Sequence, residues 1–323
     1  MSLWKIVLTN IRQRRLSSTL TAASIALGVA IVVAVLALRA QVQEGFRQSA
    51  FGYELVVGAK RLGALQLVLN TVYHLESSPG NIPWSRYQDL AAHKAVAAAI
   101  PISVGDSYRG ARVIGTTPEF FTAFNTTVAG ATFRFDLDRL GKAMAGQEAA
   151  GAFEAVVGSR TGLKIGDTFR PAHGVEAAGD VHAETWTVVG VLDPTGTPND
   201  RAIFINLDSF YEIKDHRQGG GISAVIVKTR SEGSALALEY DLNQLPDVMA
   251  ASPAKVMAEF FSKFDWIPLL FLAVAGLVVV MAAVAIFIAI YNSMSERRRP
   301  IAILRALGAR RGSVLAIVLI EAL

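Results

Sequence analysis

Five histidines, and no cysteine, are the residues of this 323-residue chain best suited to metal or acid–base chemistry. His173, Asp180, His182 and Glu184 fall within twelve positions, a donor set of imidazoles and carboxylates able to ligate a divalent metal. Their spacing matches no standard zinc motif, and the stretch reads as an exposed loop. The reading favoured is therefore solvated side chains, with His173 and His182 kept as the metal candidates. The absence of cysteine excludes a disulfide scaffold, thiol catalysis and thiolate metal sites. No GxxxxGK[ST], GxSxG or HExxH occurs, so ATP hydrolysis and the common hydrolase constellations find no motif here. No enzyme is expected, and no cofactor bound by this chain.

A second set of residues suits recognition. ERRRPIAILRALGARRGS, residues 296–313, carries six arginines around a narrow apolar stripe. Pro300 breaks the preceding helix ladder. Beyond it Ile301, Leu304, Leu307 and Gly308 share one helical face, with Arg305 at its edge. Charge alone sets membrane orientation; an apolar stripe with a basic edge is what a helix needs to seat in a groove of a soluble partner. A third set, Leu67, Leu69 and Tyr73 within QLVLNTVYHL, is apolar and aromatic between Gly- and Pro-rich loops. It reads as a core helix or strand, or as a hydrophobic flap that meets an apolar substrate.

These residues must be positioned by a membrane protein. The chain is 52% hydrophobic and 18% charged, with a mean hydropathy of +0.39. Residues 18–38 and 267–291 contain no charged side chain, and each is long enough, as a helix, to cross the roughly 30 Å hydrocarbon core. A cleaved signal peptide in place of the first span is disfavoured by the length of its apolar run. Lys5, Arg12, Arg14 and Arg15 precede the first span, and the six arginines follow the second. Positive-inside then puts both ends in the cytoplasm and residues 41–264 outside. The net charge of +4 comes from these two segments, since the middle of the chain is acidic on balance, which removes the support for nucleic-acid binding. Trp4, Val7, Leu8 and Ile11 form one apolar face, predicting a helix on the inner membrane surface. Ala22, Ala26, Ala30 and Ala34 place a small residue at every fourth position of the first span, a ridge suited to helix packing in lipid.

The expected organisation is an amphipathic helix over 1–17, a first membrane helix over 18–40, an extracytoplasmic α+β domain with a stalk over 41–264, a second membrane helix over 265–293, and a cytoplasmic helix segment over 294–312. Residues 313–323 start a third apolar segment and are expected to be a truncated span. In the external domain, strands are predicted over 53–59 and 222–228. Two strands within 97–117 are expected to join at Gly105-Asp106, and a β pair to span 184–206. Helices are predicted from Pro83, from Pro118, over 231–245 and over 253–264, the last running into the second span. Segment 136–152 reads as a loop or weak helix.

ERRRPIAILRALGARRGSVLAIVLIEAL resembles the segment after the second span in the MacB/LolC/FtsX-type ABC transporter permeases, and WTVVGVLDPTGTPNDRAIFINLDSFYEI resembles the end of their external domain. The resemblance implies membrane helices carrying a large extracytoplasmic α+β domain, the MacB-like periplasmic core domain, in the bacterial inner membrane. It implies four spans, pairing with a second permease copy, and a separate cytoplasmic ATPase subunit that binds ATP. Ile301, Leu304, Arg305, Leu307 and Gly308 would then form the coupling helix docked in that ATPase. Transmission of its motion to the external domain would export or extract an apolar or amphiphilic substrate, with a periplasmic adaptor as a further partner. An FtsX-like regulator of an external cell-wall hydrolase, or a membrane sensor without ATPase coupling, is the alternative.

Overall fold

The computed structural model describes residues 15–50, 52–61, 63–147, 151–174, 180–213, 216 and 221–296, with isolated positions at 302, 306, 312 and 316. The chain divides into two compact units, residues 43–262 and the two flanking segments taken together.

In the flanking unit, helix α1 (Arg15–Ser49) and helix α9 (Ile267–Glu296) carry the two uncharged stretches. Both are long and apolar enough to cross a membrane, and side chains such as Leu27, Val33, Leu272, Leu277 and Phe287 stand exposed on them. In water that exposure would be unfavourable; in lipid it is matched. The half-buried positions of α1 are Ile25, Gly28, Val32, Val35 and Arg39, and those of α9 include Phe271, Ala275, Val278 and Ala282. Alternating steps of three and four keep one seam facing a partner helix. Gly28 meets Val278 on that seam, where an added Cβ would lie 3.4 Å from the valine. Ala26, Ala30 and Ala34 are exposed instead. Four-residue steps drift around the helix, so the alanine ridge lies off the seam with α9. Arg39 and Asp265 form an ion pair in the same unit.

The other unit is built on a mixed sheet. Its strands are β1 (Leu55–Ala59), β2 (Ile82–Pro83), β3 (Val96–Tyr108), β4 (Ala111–Thr116), β5 (Val128–Gly130), β6 (Glu154–Val157), β7 (Thr168–Phe169), β8 (Ala172–His173), β9 (Trp186–Leu192), β10 (Ile203–Asn206), β11 (Gly221–Ile222), β12 (Ala224–Thr229) and β13 (Val248–Ala251). The order is β13-β1-β12-β3-β4-β10-β6-β9-β5, with β7 on β9 and β8 on β3, and β2 and β11 form a separate pair. The helices are α2 (Ala64–Thr71), α3 (Trp84–Ala91), α4 (Glu119–Ala123), α5 (Leu137–Met144), α6 (Leu207–Glu212), α7 (Glu232–Asn243) and α8 (Pro253–Ser262). Leu55 and Val57 of β1 belong to one apolar core and Val56 to another; Ile203 and Ile205 of β10 likewise oppose Phe204. Unbroken apolar strands such as LVV and IFI are what a sheet covered on both faces requires.

Three sequence expectations are corrected. First, Gly105-Asp106 is not a turn. β3 runs on to Tyr108, and the reversal comes at Arg109 and Gly110, whose φ of 49° and 81° make the two-residue hairpin turn that suits strand twist. The register shift at Gly105 is a bulge within the strand. Second, β9 and β10 do not pair with each other, because β6 lies between them, parallel to β9 and antiparallel to β10. Of the two readings of residues 136–152, loop or weak helix, the helix holds over α5. Asp136 caps it by accepting from the Asp138 and Arg139 amides. Third, helix α8 ends at Ser262 and turn residues precede α9, so the expected stalk is not one continuous helix.

His74 supplies a pH dependence. It is half-buried with φ of 56°, its Nε2–H donates to Asn199 Oδ1 at 2.8 Å, and it lies edge-on to Phe204. Burial pushes its pKa down to about 4. The folded domain thus favours the neutral ring, while the unfolded chain binds a proton near pH 6.5. Stability is full above that pH and falls as pH drops toward about 4, by about 3 kcal/mol. Urea midpoints measured from pH 7 to pH 4 should fall more steeply for the wild-type domain than for His74→Gln.

Candidate functional site

The bulge at Gly105 aims the carboxylate of Asp106 inward, where it is fully buried. Opposite it, residues 170–173 and 180–182 lie side by side. The His173 amide donates to Asp180 O at 2.9 Å, the His182 amide to Pro171 O at 3.0 Å, and Arg170 Nε to His182 O at 2.8 Å. β8 pairs with β3 so that His173 faces Asp106. A third imidazole arrives from beyond α6. His216 stacks on Phe210 with centroids 4.4 Å apart, and its Nδ1 lies 3.1 Å from Phe210 O.

The result is a cluster of three imidazoles on one carboxylate oxygen. Asp106 Oδ1 lies 3.1 Å from His182 Nε2, 3.2 Å from His216 Nε2 and 3.4 Å from His173 Nδ1. All four donor atoms lie within 4.8 Å of one another. The His182 and His216 side chains are buried, while that of His173 is 58% exposed. Among the described residues, these four form a group able to hold a metal.

The sequence candidates thus divide. His173 and His182 are brought together, but His182 is buried, not solvated; the bonds to Pro171 and Arg170 fold its segment inward. Asp180 contributes its carbonyl to the local turn, and Glu184 is half-buried outside the cluster. Asp106 and His216 were not singled out. A Gly-Asp pair read as a turn hides a carboxylate that a continuous strand would carry inward, and nothing near His216 in sequence marks it.

Leu67 and Tyr73 are core side chains. Leu67 fills the space left by Gly58, where a Cβ would stand 2.4 Å from Leu67 Cδ1, and Tyr73 Oη donates to Phe46 O at 2.9 Å. Leu69 is half-buried beside them. This packing makes α2 a core helix. Ile301, Leu304, Arg305, Leu307 and Gly308 lie outside the described residues.

Family comparison decides the class. Residues 18–245 match the MacB-like periplasmic core domain and residues 272–323 match the FtsX-like permease C-terminal domain. The chain belongs to the MacB/FtsX-type ABC transporter permeases. Two solved structures are similar to the permease. The periplasmic region of MacB from Actinobacillus actinomycetemcomitans shares 12% identity at a TM-score of 0.40, covering 65% of this chain and 94% of that one. The extracellular domain of the noncanonic ABC-type transporter YknZ from Gram-positive bacteria shares 14% at a TM-score of 0.36, covering 61% and 98%. No curated protein matches the chain. The family assigns a membrane permease component of an ABC transporter, not itself catalytic.

Proposed function

We propose that the permease couples a separate cytoplasmic ATPase to the external domain and so exports or extracts an apolar or amphiphilic substrate. The observation that carries this reading is the FtsX-like match over residues 272–323, which includes the basic amphipathic segment. The two apolar helices and the arginines flanking them support a bacterial inner-membrane topology with residues 41–264 outside. Residues 1–323 hold no P-loop, and in this reading the ATPase subunit binds the nucleotide. A second permease copy and the bilayer complete the assembly. Ile301, Leu304 and Leu307 would fill a cleft of the ATPase, with Arg305 at the rim.

The test is co-purification of the ATPase through a tag on the permease, followed by assay of nucleotide hydrolysis. Leu304→Arg places a charge in the stripe, and Arg305→Glu reverses the rim. Each is expected to weaken ATPase binding by roughly 30-fold, the scale of an interface hot spot of about 2 kcal/mol, while the permease still inserts and dimerises. Undiminished co-purification and hydrolysis in both variants would remove the coupling-helix assignment and leave the arginines as a topology signal.

A further inference from the structure

We propose that Asp106, His173, His182 and His216 form a binding site for one zinc-type divalent cation on the external domain. This rests on the geometry of the cluster and not on the transport reading.

Hydrogen bonding alone accounts poorly for the arrangement. Three ring nitrogens converge on a single carboxylate oxygen, while Asp106 Oδ2, buried beside it, has no hydrogen-bond partner among the described residues. Three donors would ordinarily spread over both oxygens. The tautomer of His216 sharpens the point. Its Nδ1 faces the Phe210 carbonyl, which can only accept, so Nδ1 carries the proton. In the neutral ring Nε2 then offers a lone pair toward a carboxylate oxygen 3.2 Å away. Two lone pairs at that distance repel unless a cation stands between them or the ring is protonated. Arg112 also feels the Asp106 charge, but its guanidinium donates to the Glu76 carbonyl at 2.7 Å.

A metal ion resolves all of this. Four ligands about 2.0–2.1 Å from a tetrahedral ion stand roughly 3.3 Å apart, close to the 3.1, 3.2 and 3.4 Å found here. The wider separations, up to 4.8 Å, close when the rings draw onto the ion. Three imidazoles and one carboxylate favour zinc and its neighbours over magnesium or calcium, which take oxygen donors. Four protein ligands fill a tetrahedron, the pattern of a structural or exchangeable site and not of a catalytic one. The supporting bonds are already present: the Phe210 carbonyl orients His216, and the bulge in β3 orients Asp106. Exposed His173 is the side through which the ion enters. Once bound, the ion ties β3, β8, the segment at His182 and His216 beyond α6 at one point.

The experiment uses the permease in detergent, purified without a polyhistidine tag, stripped with a chelator and titrated with zinc sulfate. Elemental analysis should find one zinc per chain. Asp106→Asn and His216→Gln should weaken binding by more than the roughly 10–100-fold that loss of a supporting group costs. His93→Gln, at an exposed position outside the cluster, should leave it unchanged. Cobalt(II) in the wild type should give the intense visible absorption of a four-coordinate ion. No stoichiometric zinc, or zinc held equally by Asp106→Asn and His216→Gln, would overturn the proposal and make the cluster a salt link with His216 as imidazolium. Where a variant fails to fold, the wild-type cobalt spectrum decides: a weak six-coordinate spectrum, or no uptake, overturns it.

Discussion

Replacing Arg139 by alanine is expected to destabilise the external domain by about 3–5 kcal/mol, the cost of leaving a buried charge without its partner. Arg139 is the only cation paired with two buried carboxylates among the described residues. Its Nη1 donates to Asp208 Oδ2 at 3.0 Å, its Nε to Glu212 Oε1 at 2.6 Å, and its Nη2 to Glu212 Oε2. Both acids are buried on α6, and Arg139 lies on α5. The fork fits its two oxygens in a way lysine cannot match, so Arg139→Lys should also lose stability, by less. Gly151 lies against the guanidinium, since a Cβ there would stand 1.7 Å from Arg139 Cζ. Burial already raises the Asp208 pKa despite the pull of Arg139. Without the arginine that pKa rises further, so the folded variant favours the protonated acid. Its stability is then greatest at low pH and is lost as pH rises through the ordinary carboxylate range. Urea titration of Arg139→Ala at pH 5 and pH 8 checks both parts; equal stability to wild type at pH 8 would show that the acids are not held as a charged pair.

How far this fold is legible in sequence depends on range. The uncharged spans stand out because a bilayer demands some twenty apolar residues in a row, and the seam between α1 and α9 follows a three-and-four spacing that was there to be read. Strands such as LVVGA and IFIN are visible from their apolar, β-branched runs. Which strand neighbours which is not, because β6 enters between β9 and β10 from thirty or more positions away. The candidate metal site fails to show for the same reason. His173 and His182 are close in the chain, but Asp106 is carried to them by a bulge and His216 by stacking on Phe210. Neither device has a spacing rule. Arg139 is a further case: beside Asp136, Asp138 and Lys142 it looks like part of a solvated charged helix face, and only the arrival of α6 turns it into a buried ion cluster.

Phe46→Ala is expected to cost the external domain about 3 kcal/mol, from lost apolar burial and two lost ring contacts. The ring sits in the last turns of α1, with centroids 4.7 Å from Tyr73 and 5.4 Å from Phe261 of α8. The Phe46 carbonyl also accepts the Tyr73 hydroxyl, so Tyr73→Phe should cost only about 1 kcal/mol. The position matters because α1 carries the first apolar span and α8 precedes the second, and Phe46 clamps the two against the core behind α2. If ATPase motion reaches the external domain through these helices, loosening the clamp should let the spans move without the domain following. The native lack of cysteine allows a clean measurement. Leu236→Cys, at an exposed position on α7, takes one spin label per chain. In the assembled dimer the label-to-label distance should change between nucleotide-free and ATP-bound states. Phe46→Ala should retain ATP hydrolysis yet lose that change. A full distance change in the variant would mean that the clamp stabilises the domain and transmits nothing, and the path of coupling would have to be sought outside α1 and α8.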